Sequence, residues 1–576
     1  MPCRDHGPDP PSGRRVFIRR YLTMDQDVAG RENQTWDVAN MPDEEVYAQA
    51  KAWGLDPVWV RVLFRRGIDP QSFVNDIQAP SPPGDDSLGD MGPSRSWFHE
   101  LLASREPVLV YADLDVDGLA AAAILSRFLT HRRHPHSVLL TNREDGRSVR
   151  PSRILPLRDQ GVRRIIVADM GASSAPVLRM LLSEGISCLV VDHHLIPEEW
   201  PRATVPLVHP SGRSALTSAG SAYALIRPYL APEEEPQMAF LAGLSVLGDR
   251  APLLRENRYF IRVLVSEEAL SSFPGIRLLL RRRLRRDPIV SDFSFGVIPF
   301  LNAPGRMGDP RPAFDLLMAS SSETCEKNVL LLLEMNRKRQ ELEALLYDEI
   351  RKKGPMGWFL FDKDWFPGVL GRVAHRISEE WDRSVFVGTL TASLTVRGSI
   401  RCRNNDRFPE IMKALVGLPV HGGGHPMAGG LEFPLSALSE VSLRLNKVLN
   451  HEVPAEKGNR IPDSVDGPLK IDAFLPAYFR NPVFWEGYSK LFPFGEGFAS
   501  PLFGVRRARI ERLEDGFGRM QVCSYRWRHG SGRAFFRDGG DPPRPGQDCD
   551  LVVTPEIRGK GDYLERLFVV IQHRQA

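Results

Sequence analysis

The sequence predicts an α/β protein of several domains: a parallel-sheet domain, a second α/β domain joined to it by a long helix, and a C-terminal β-barrel. Three observations carry this expectation. Apolar runs ending in carboxylates recur at Val108 to Ala112 before Asp113, Ile165 to Ala168 before Asp169, and Leu189 to Val191 before Asp192; continuous runs of this length fit strands buried on both faces of a parallel sheet. Residues 322–353 contain neither Gly nor Pro and place Leu332, Met335, Leu342, Leu346 and Ile350 near helical spacing, as an inter-domain helix would. After residue 500 strand-like segments dominate, as in a small barrel.

Taken in order, residues 1–37 are rich in Pro, Gly, Arg and Asp and lack an apolar h-region, so they read as a disordered extension, with Met24 as an alternative start to Met1. Residues 38–95 comprise short helices to about residue 75 and a turn-rich linker from Ala79. Residues 96–320 alternate strands and helices, including an apolar helix at Leu119 to Leu129, as a doubly wound domain does. A further apolar run, Leu241 to Leu247, precedes Asp249. The bridging helix spans 321–354, a second α/β domain spans 355–452, a linker covers 453–499, and the barrel occupies 500–576.

At 576 residues the chain exceeds a single core, and about three or four domains are expected. Hydrophobic content of 42% with 26% charged residues excludes wholesale disorder. No apolar run approaches the roughly 20 residues of a membrane-spanning helix, so no membrane partner is expected. The six cysteines are scattered without a C-x-x-C pair, which argues against a disulfide framework or zinc knuckle and for a reducing, cytoplasmic setting. A net charge of +3 decides little about polyanionic partners.

The chemistry lies at the strand ends. Open α/β sheets bind ligands outside the carboxyl ends of their strands, and there the chain places Asp113, Asp115, Asp117, Asp169, Asp192, His193 and His194. So much negative charge demands cations, and mixed carboxylate and imidazole ligands suit Mn²⁺ or Mg²⁺, in all two ions. Asp113-x-Asp115-x-Asp117-Gly118 also has the spacing of a helix-loop-helix calcium site, but the glutamate at loop position twelve is missing and a strand precedes it. Asp169 alone would read as a cap, and His193-His194 alone as a backbone-bonded pair; together with the other aspartates they read as ligands. Asp192 would fix a histidine tautomer from outside the ligand set. Two cations about 4 Å apart activate water for in-line displacement at phosphorus, so phosphoester hydrolysis is the expected chemistry.

These segments resemble motifs I to IV of the DHH phosphoesterase superfamily, with Asp192-His193-His194 as the name-giving triplet and Leu247-Gly-Asp249-Arg-Ala-Pro-Leu253 as the fourth motif. Asn302-Ala303-Pro-Gly305-Arg306 resembles an element of the RecJ-like single-stranded-DNA-specific exonucleases, and Asn336-Arg-Lys-Arg-Gln340 with Glu343 resembles their connecting helix. Residues 368–390, Arg397-Gly398-Ser399-Ile-Arg401 and Gly422-Gly-Gly424-His425 resemble the DHHA1 domain; Pro493 to Phe503 resembles the entry into the oligonucleotide-binding (OB-fold) barrel. The resemblance implies a DHH domain at 96–320, a DHHA1 domain at 355–452 and an OB-fold at 500–576. It implies metal ligation by Asp113, Asp115, Asp117, Asp169, His193 and Asp249, catalytic roles for Asp192, His193 and His194, and substrate-phosphate contacts from Asn142, Arg143, Arg306, Ser399, Arg401 and His425. Guanidinium forks suit phosphate bidentately.

The implied activity is metal-dependent 5′ to 3′ degradation of single-stranded DNA by a monomer in DNA repair and recombination, with a helicase or single-strand-binding protein as partner because the substrate must be unwound. Two other readings are a DHH phosphodiesterase for short oligoribonucleotides or nucleotide phosphates, which the N-terminal segment and the barrel disfavour, and an inactive replication scaffold, which the complete carboxylate set disfavours. The chain departs from the family pattern at Arg143-Glu144-Asp-Gly146, at Phe366-Pro367 and at His209-Pro210, where Asn-Pro is common. Arg277 and Arg281 to Arg286 either track a phosphate backbone or form the solvated face of a helix. In the tail, Tyr525 and Trp527 share a strand face, flanked by Arg526 and Arg528 and followed by Arg533 and Arg537; they form either a base-stacking platform or barrel core. Core is the expectation for Phe535 or Phe536, and DNA contact for at least one arginine.

Overall fold

The computed structural model describes residues 36–38, 42–449 and 469–575, less the stretches 70–71, 79–80, 85–86, 143–147, 283–287, 355–357, 404–406, 516–520, 537–541 and 559–564 and positions 199, 202, 213, 392, 426 and 529. The expected disorder of residues 1–35, the choice of start and Arg537 therefore lie outside the described residues. The chain forms two compact units, one of residues 81–252 and 256–459, the other of 1–80, 253–255 and 460–576.

In the larger unit, strands β1 (Val108–Ala112), β2 (His136–Leu140), β3 (Arg164–Ala168), β4 (Ser187–Val191) and β5 (Leu207–Val208) form a parallel sheet in the order β2-β1-β3-β4-β5. Every residue of β1 is buried, and so is nearly all of β3 and β4; each such aliphatic side chain contributes about 1.5–3 kcal/mol when removed from water. Ala112 pairs with Leu140 and Ala168, Ala168 with Val191, and Val191 with Val208. The next residue of each strand, Thr141, Asp113, Asp169, Asp192 and His209, therefore stands in one row, and hydrogen bonds from the first four of these amides to the neighbouring strand extend the ladder one step further. The register is what gathers the carboxylates.

Helix α1 (Val116–His131) starts at once after β1, with Asp115 as N-cap accepting from the amides of Asp117 and Gly118. Glycine is required at 118, where a Cβ would lie 2.4 Å from the Asp113 carbonyl oxygen. Helices α2 (Ser218–Ile226) and α3 (Glu235–Gly248) pack on α1; the apolar run before Asp249 is thus helical, unlike the other three. Helix α4 (Ile298–Met307) carries the Asn302 to Arg306 element. Helix α5 (Ser322–Lys353) is N-capped by Ser321, ends at Gly354 in a positive-φ conformation, and at 1.5 Å per residue runs for about 48 Å. Beyond it, β6 (Phe359–Phe361), helix α6 (Leu370–Trp381), β7 (Val385–Leu390), β8 (Thr395–Arg401), β9 (His421–His425) and β10 (Ala428–Pro434) build a mixed sheet in the order β9-β10-β8-β7-β6.

The smaller unit departs from expectation. Trp36 and Asp37 are not part of a disordered extension: they pair in parallel with Leu469–Lys470, and Trp36 is buried edge-on to Phe474. Residues 453–499 are not a plain linker either. Helix α7 (Pro482–Leu491) buries Phe484, Trp485, Tyr488 and Leu491; residues 450–468 lie outside the description. The N-terminal helices Asp43–Trp53 and Pro57–Arg65 share this core, Trp59 donating from its indole to the Phe484 carbonyl at 2.8 Å. Arg66 grips Asp472 with two hydrogen bonds of 3.0 and 2.8 Å. The expected segment 38–95 is itself divided, since residues from 81 onward belong to the larger unit and a helix begins at Gly92.

Strands β11 (Phe503–Asp515), β12 (Gln521–Trp527), β13 (Gly530–Phe536), β14 (Asp548–Arg558) and β15 (Glu565–Gln575) close a barrel in the order β11-β12-β13-β15-β14, returning to β11, with only β13 and β15 parallel. The barrel expected for the tail is present, with five strands. Tyr525 and Trp527 do share a face, but it is the inner one: they are 0% and 7% exposed and belong to the core. That overturns the stacking platform; the apolar face of a closed barrel turns inward. Phe536 is core and Phe535 half-buried.

Candidate metal centre

Around the row of strand ends, Asp115 and Asp117 project from the turn entering α1, His193 follows Asp192, and Asp249 caps the C-terminus of α3. Ligand atoms of Asp113, Asp115 and Asp169 lie within 4.8 Å of one another, as do those of Asp117, His193 and Asp249, and those of Asp169, His193 and His194. His193 Nε2 is 3.3 Å from Asp249 Oδ2 and 3.6 Å from both Asp117 Oδ2 and Asp169 Oδ1. Asp169 thus belongs to two neighbouring groups, one with Asp113 and Asp115 and one with His193 and His194.

The electrostatics call for cations. Burial, and then the charges of Asp117, Asp115, Asp249 and Asp113, push the Asp169 carboxyl well above the usual carboxylate range. Burial also holds His193 below its ordinary value, against the pull of Asp117 and Asp192, which keeps an imidazole lone pair free for a ligand role. Asp169 has φ 59°, a left-handed conformation that costs a non-glycine residue about 1–3 kcal/mol and that clusters at functional sites. The donors are all carboxylate and imidazole, which fits Mn²⁺ or Mg²⁺.

Asp192 acts differently from its neighbours. Its Oδ2 accepts from the Ala172 amide at 2.9 Å, and its Oδ1 accepts from the amides of His193 and His194 and lies 2.7 Å from His194 Nδ1. Burial raises its carboxyl, but the hydrogen bond and charge of His194 with the backbone donors outweigh this and leave it below the ordinary value. Asp192 thus holds His194 through Nδ1, and the His194 side chain is one-third exposed. His209 braces the same loop, its Nε2 lying 2.9 Å from the His194 carbonyl oxygen.

Sequence reasoning missed a layer of hydroxyls beneath the ligands. Thr141 donates to Asp113 at 2.6 Å, Ser218 to Asp169 at 2.9 Å and Ser245 to Asp117 at 2.6 Å, all fully buried. Thr141 had a signal, since it ends β2 as the aspartates end β1 and β3; the serines lie 49 and 128 positions from the groups they serve.

The expected phosphate contacts are only partly placed. Asn302 accepts from the Val116 amide at 3.2 Å, pinning α4 to the start of α1, and Gly368 packs so closely on the Arg306 carbonyl that a Cβ would meet it at 2.0 Å. On β8, Arg401 donates to Ser399 Oγ at 2.7 Å and to the Ile400 carbonyl, in no ion pair among the described residues, and burial lowers its pKa. Gly371 at the start of α6 lies against both side chains. Asn142 is half-buried; Arg143 and the side chain of His425 are outside the described residues. Arg277 bonds to Glu267, Arg281 and Arg282 are exposed, and the rest of that run is outside the description. On the barrel, Arg526 and Arg528 are exposed, Arg526 paired with Glu511 at 2.7 Å.

Residues 107–248 match the family described as "DHH family, N-terminal domain", and residues 347–451 the DHHA1 domain. The single-stranded-DNA-specific exonuclease RecJ of Thermus thermophilus is 29% identical over 480 residues, covering 81% of this chain and 66% of that protein. The protein of the same name from Dickeya dadantii is 26% identical over 478 residues, covering 76% of this chain and 81% of its own length. Among solved structures, RecJ in complex with Mn²⁺ from Thermus thermophilus shares the fold with a TM-score of 0.74 at 23% identity, over 95% of this chain and 80% of that one. An exonuclease RecJ bound to manganese gives a TM-score of 0.55 at 26% identity, over 65% of this chain and 97% of its own. No described helix is long and apolar enough to cross a membrane.

Proposed function

Because the chain is a RecJ-like member of the DHH/DHHA1 family, we propose that it hydrolyses single-stranded DNA from the 5′ end in DNA repair and recombination, using two Mn²⁺ or Mg²⁺ ions. The observation that carries this reading is the convergence of Asp113, Asp115, Asp117, Asp169, His193 and Asp249 on one sheet edge. Such ions, when bound, supply Lewis-acid activation of water and neutralise charge developing on the phosphoryl oxygens.

The chain's own residues supply position. Asp192 sets the tautomer and ring orientation of His194, so that its Nε2 meets the scissile phosphate. Ser399 and Arg401 hold the 5′ phosphate, with Asn142, Arg143, Arg306 and His425 along the following backbone; the half-buried Arg401 guanidinium is well suited, because an anion would relieve its desolvation. Arg526 and Arg528 on the barrel contact the strand further on. The enzyme works as a cytoplasmic monomer on strands opened by a helicase or covered by a single-strand-binding protein.

The test is digestion of a 3′-labelled single-stranded oligonucleotide with Mn²⁺, alongside Asp115→Ala and matched RNA and duplex substrates. A progressive ladder from single-stranded DNA alone, lost in the variant, is expected. Inertness on long DNA with cleavage of dinucleotides would overturn the reading in favour of a small-substrate phosphodiesterase, and inertness on every substrate in favour of a scaffold.

A further inference from the structure

The first turn of α2 lies under the carboxylates and touches two of them. The Ser218 amide donates to Asp117 Oδ2 and the Ala219 amide to Asp117 Oδ1, both at 2.8 Å, and Ser245 adds a third donor to Oδ1. Unpaired amides of a helix start favour an anion there. The Ser218 hydroxyl crosses to the other carboxylate, donating to Asp169 Oδ1 at 2.9 Å. That oxygen is the one 3.6 Å from His193 Nε2, so it faces the ligand group. Thr217 caps the helix, accepting from Gly220 at 3.1 Å, and its hydroxyl oxygen is 2.6 Å from that of Ser245. Thr217, Ser218 and Ser245 are all 0% exposed.

We propose that Ser218 is a positioning residue for the cation site, its amide and hydroxyl together fixing Asp117 and Asp169 in the orientation in which they offer oxygen to a divalent ion. A carboxylate on a left-handed backbone, with four like charges around it, has no reason to stay turned toward them before an ion arrives. The hydroxyl supplies that reason, because turning away would leave a buried donor unsatisfied. Groups that orient ligands in this way typically change metal affinity 10–100-fold when removed. The proposal rests on the metal-dependent reading above.

The test is a Mn²⁺ titration followed by electron paramagnetic resonance on the full chain, comparing wild type with Ser218→Ala, Ser218→Cys and Ser221→Ala. Ser221 is the matched control: it lies on the same helix, is equally buried, and its hydroxyl bonds no group among the described residues. Ser218→Ala is expected to weaken Mn²⁺ binding about tenfold or more and to raise the Mn²⁺ needed for half-maximal hydrolysis by a similar factor, with a smaller change in turnover at saturating Mn²⁺. Ser218→Cys, which keeps a weaker donor, should fall between, and Ser221→Ala should match wild type. Unchanged Mn²⁺ affinity in Ser218→Ala, or equal weakening in Ser221→Ala, would overturn the proposal. Should the wild-type chain bind Mn²⁺ without degrading single-stranded DNA, the exonuclease reading falls while the resonance titration still decides the role of Ser218.

Discussion

Replacing Asp169 by Asn removes one charge from the sheet edge and preserves almost everything else. Asn tolerates the left-handed backbone at φ 59°, and its side-chain carbonyl still accepts from Ser218. Ligand atoms of Asp113 and Asp115 lie within 4.8 Å of Asp169. At an effective dielectric of about 20, two charges at that separation repel by roughly 3 kcal/mol. Relaxation and proton uptake return part of this, so the metal-free variant should be about 2 kcal/mol more stable than wild type, a rise of roughly 4–8 °C for a domain of about 200 residues. In Mn²⁺ the order should reverse, because a ligand at 100 times its Kd stabilises the native state by about 2.7 kcal/mol and the variant forfeits most of that. Calorimetry of both proteins in chelator and in Mn²⁺ reads the crossover directly. A variant less stable than wild type in chelator would show instead that the edge is at ease without a cation.

Gly118→Ala forces a methyl against the Asp113 carbonyl and should lower hydrolysis about 100-fold through misplaced carboxylates, measured with Mn²⁺ in excess. Arg401→Ala should raise KM for 5′-phosphorylated oligonucleotides about 10–100-fold, the worth of a charged hydrogen bond, and leave 5′-hydroxyl substrates nearly unchanged in a steady-state comparison. Trp59→Ala, in the core shared with α7, should cost about 3–5 kcal/mol, read as a lower urea midpoint for the smaller unit. Glu234 hydrogen-bonds Arg132 at 2.9 Å through each oxygen, and that contact first, with the Ala231 amide and His131, holds its carboxyl at about 2. A depressed carboxyl stabilises above its unfolded pKa and loses that contribution as pH falls through the folded one. Glu234→Gln should therefore cost about 1–2 kcal/mol at pH 7, with the gap closing between about pH 4.5 and 2, in urea titrations across that window.

The parallel sheet was legible because strands buried on both faces are written as unbroken apolar runs, and the carboxylates stood out because nothing else belongs at the end of such a run. Register was not legible: that Thr141 and His209 join the row of Asp113, Asp169 and Asp192 follows from pairing between strands, which no local pattern encodes. The long helix was plain from its lack of Gly and Pro. Helix α7 was hidden by Pro482 and Gly487, although Pro at a first turn is harmless and Gly487 lies against Trp59, where a Cβ would come within 2.1 Å. At Tyr525 and Trp527 the alternation was readable but its direction was not, since a strand's period of two says that residues share a face and not which face is inside. The contact of Ser218 with Asp117 spans 101 positions and exists only in the folded chain.

Anomalous scattering from a crystal of the chain grown with Mn²⁺ tests the proposed two-cation centre at this edge. Two Mn²⁺ peaks are expected, one held by Asp113, Asp115 and Asp169, the other by Asp117, His193 and Asp249, with Asp169 touching both. Well-ordered side chains at the edge with no peak between them at saturating Mn²⁺ would contradict it.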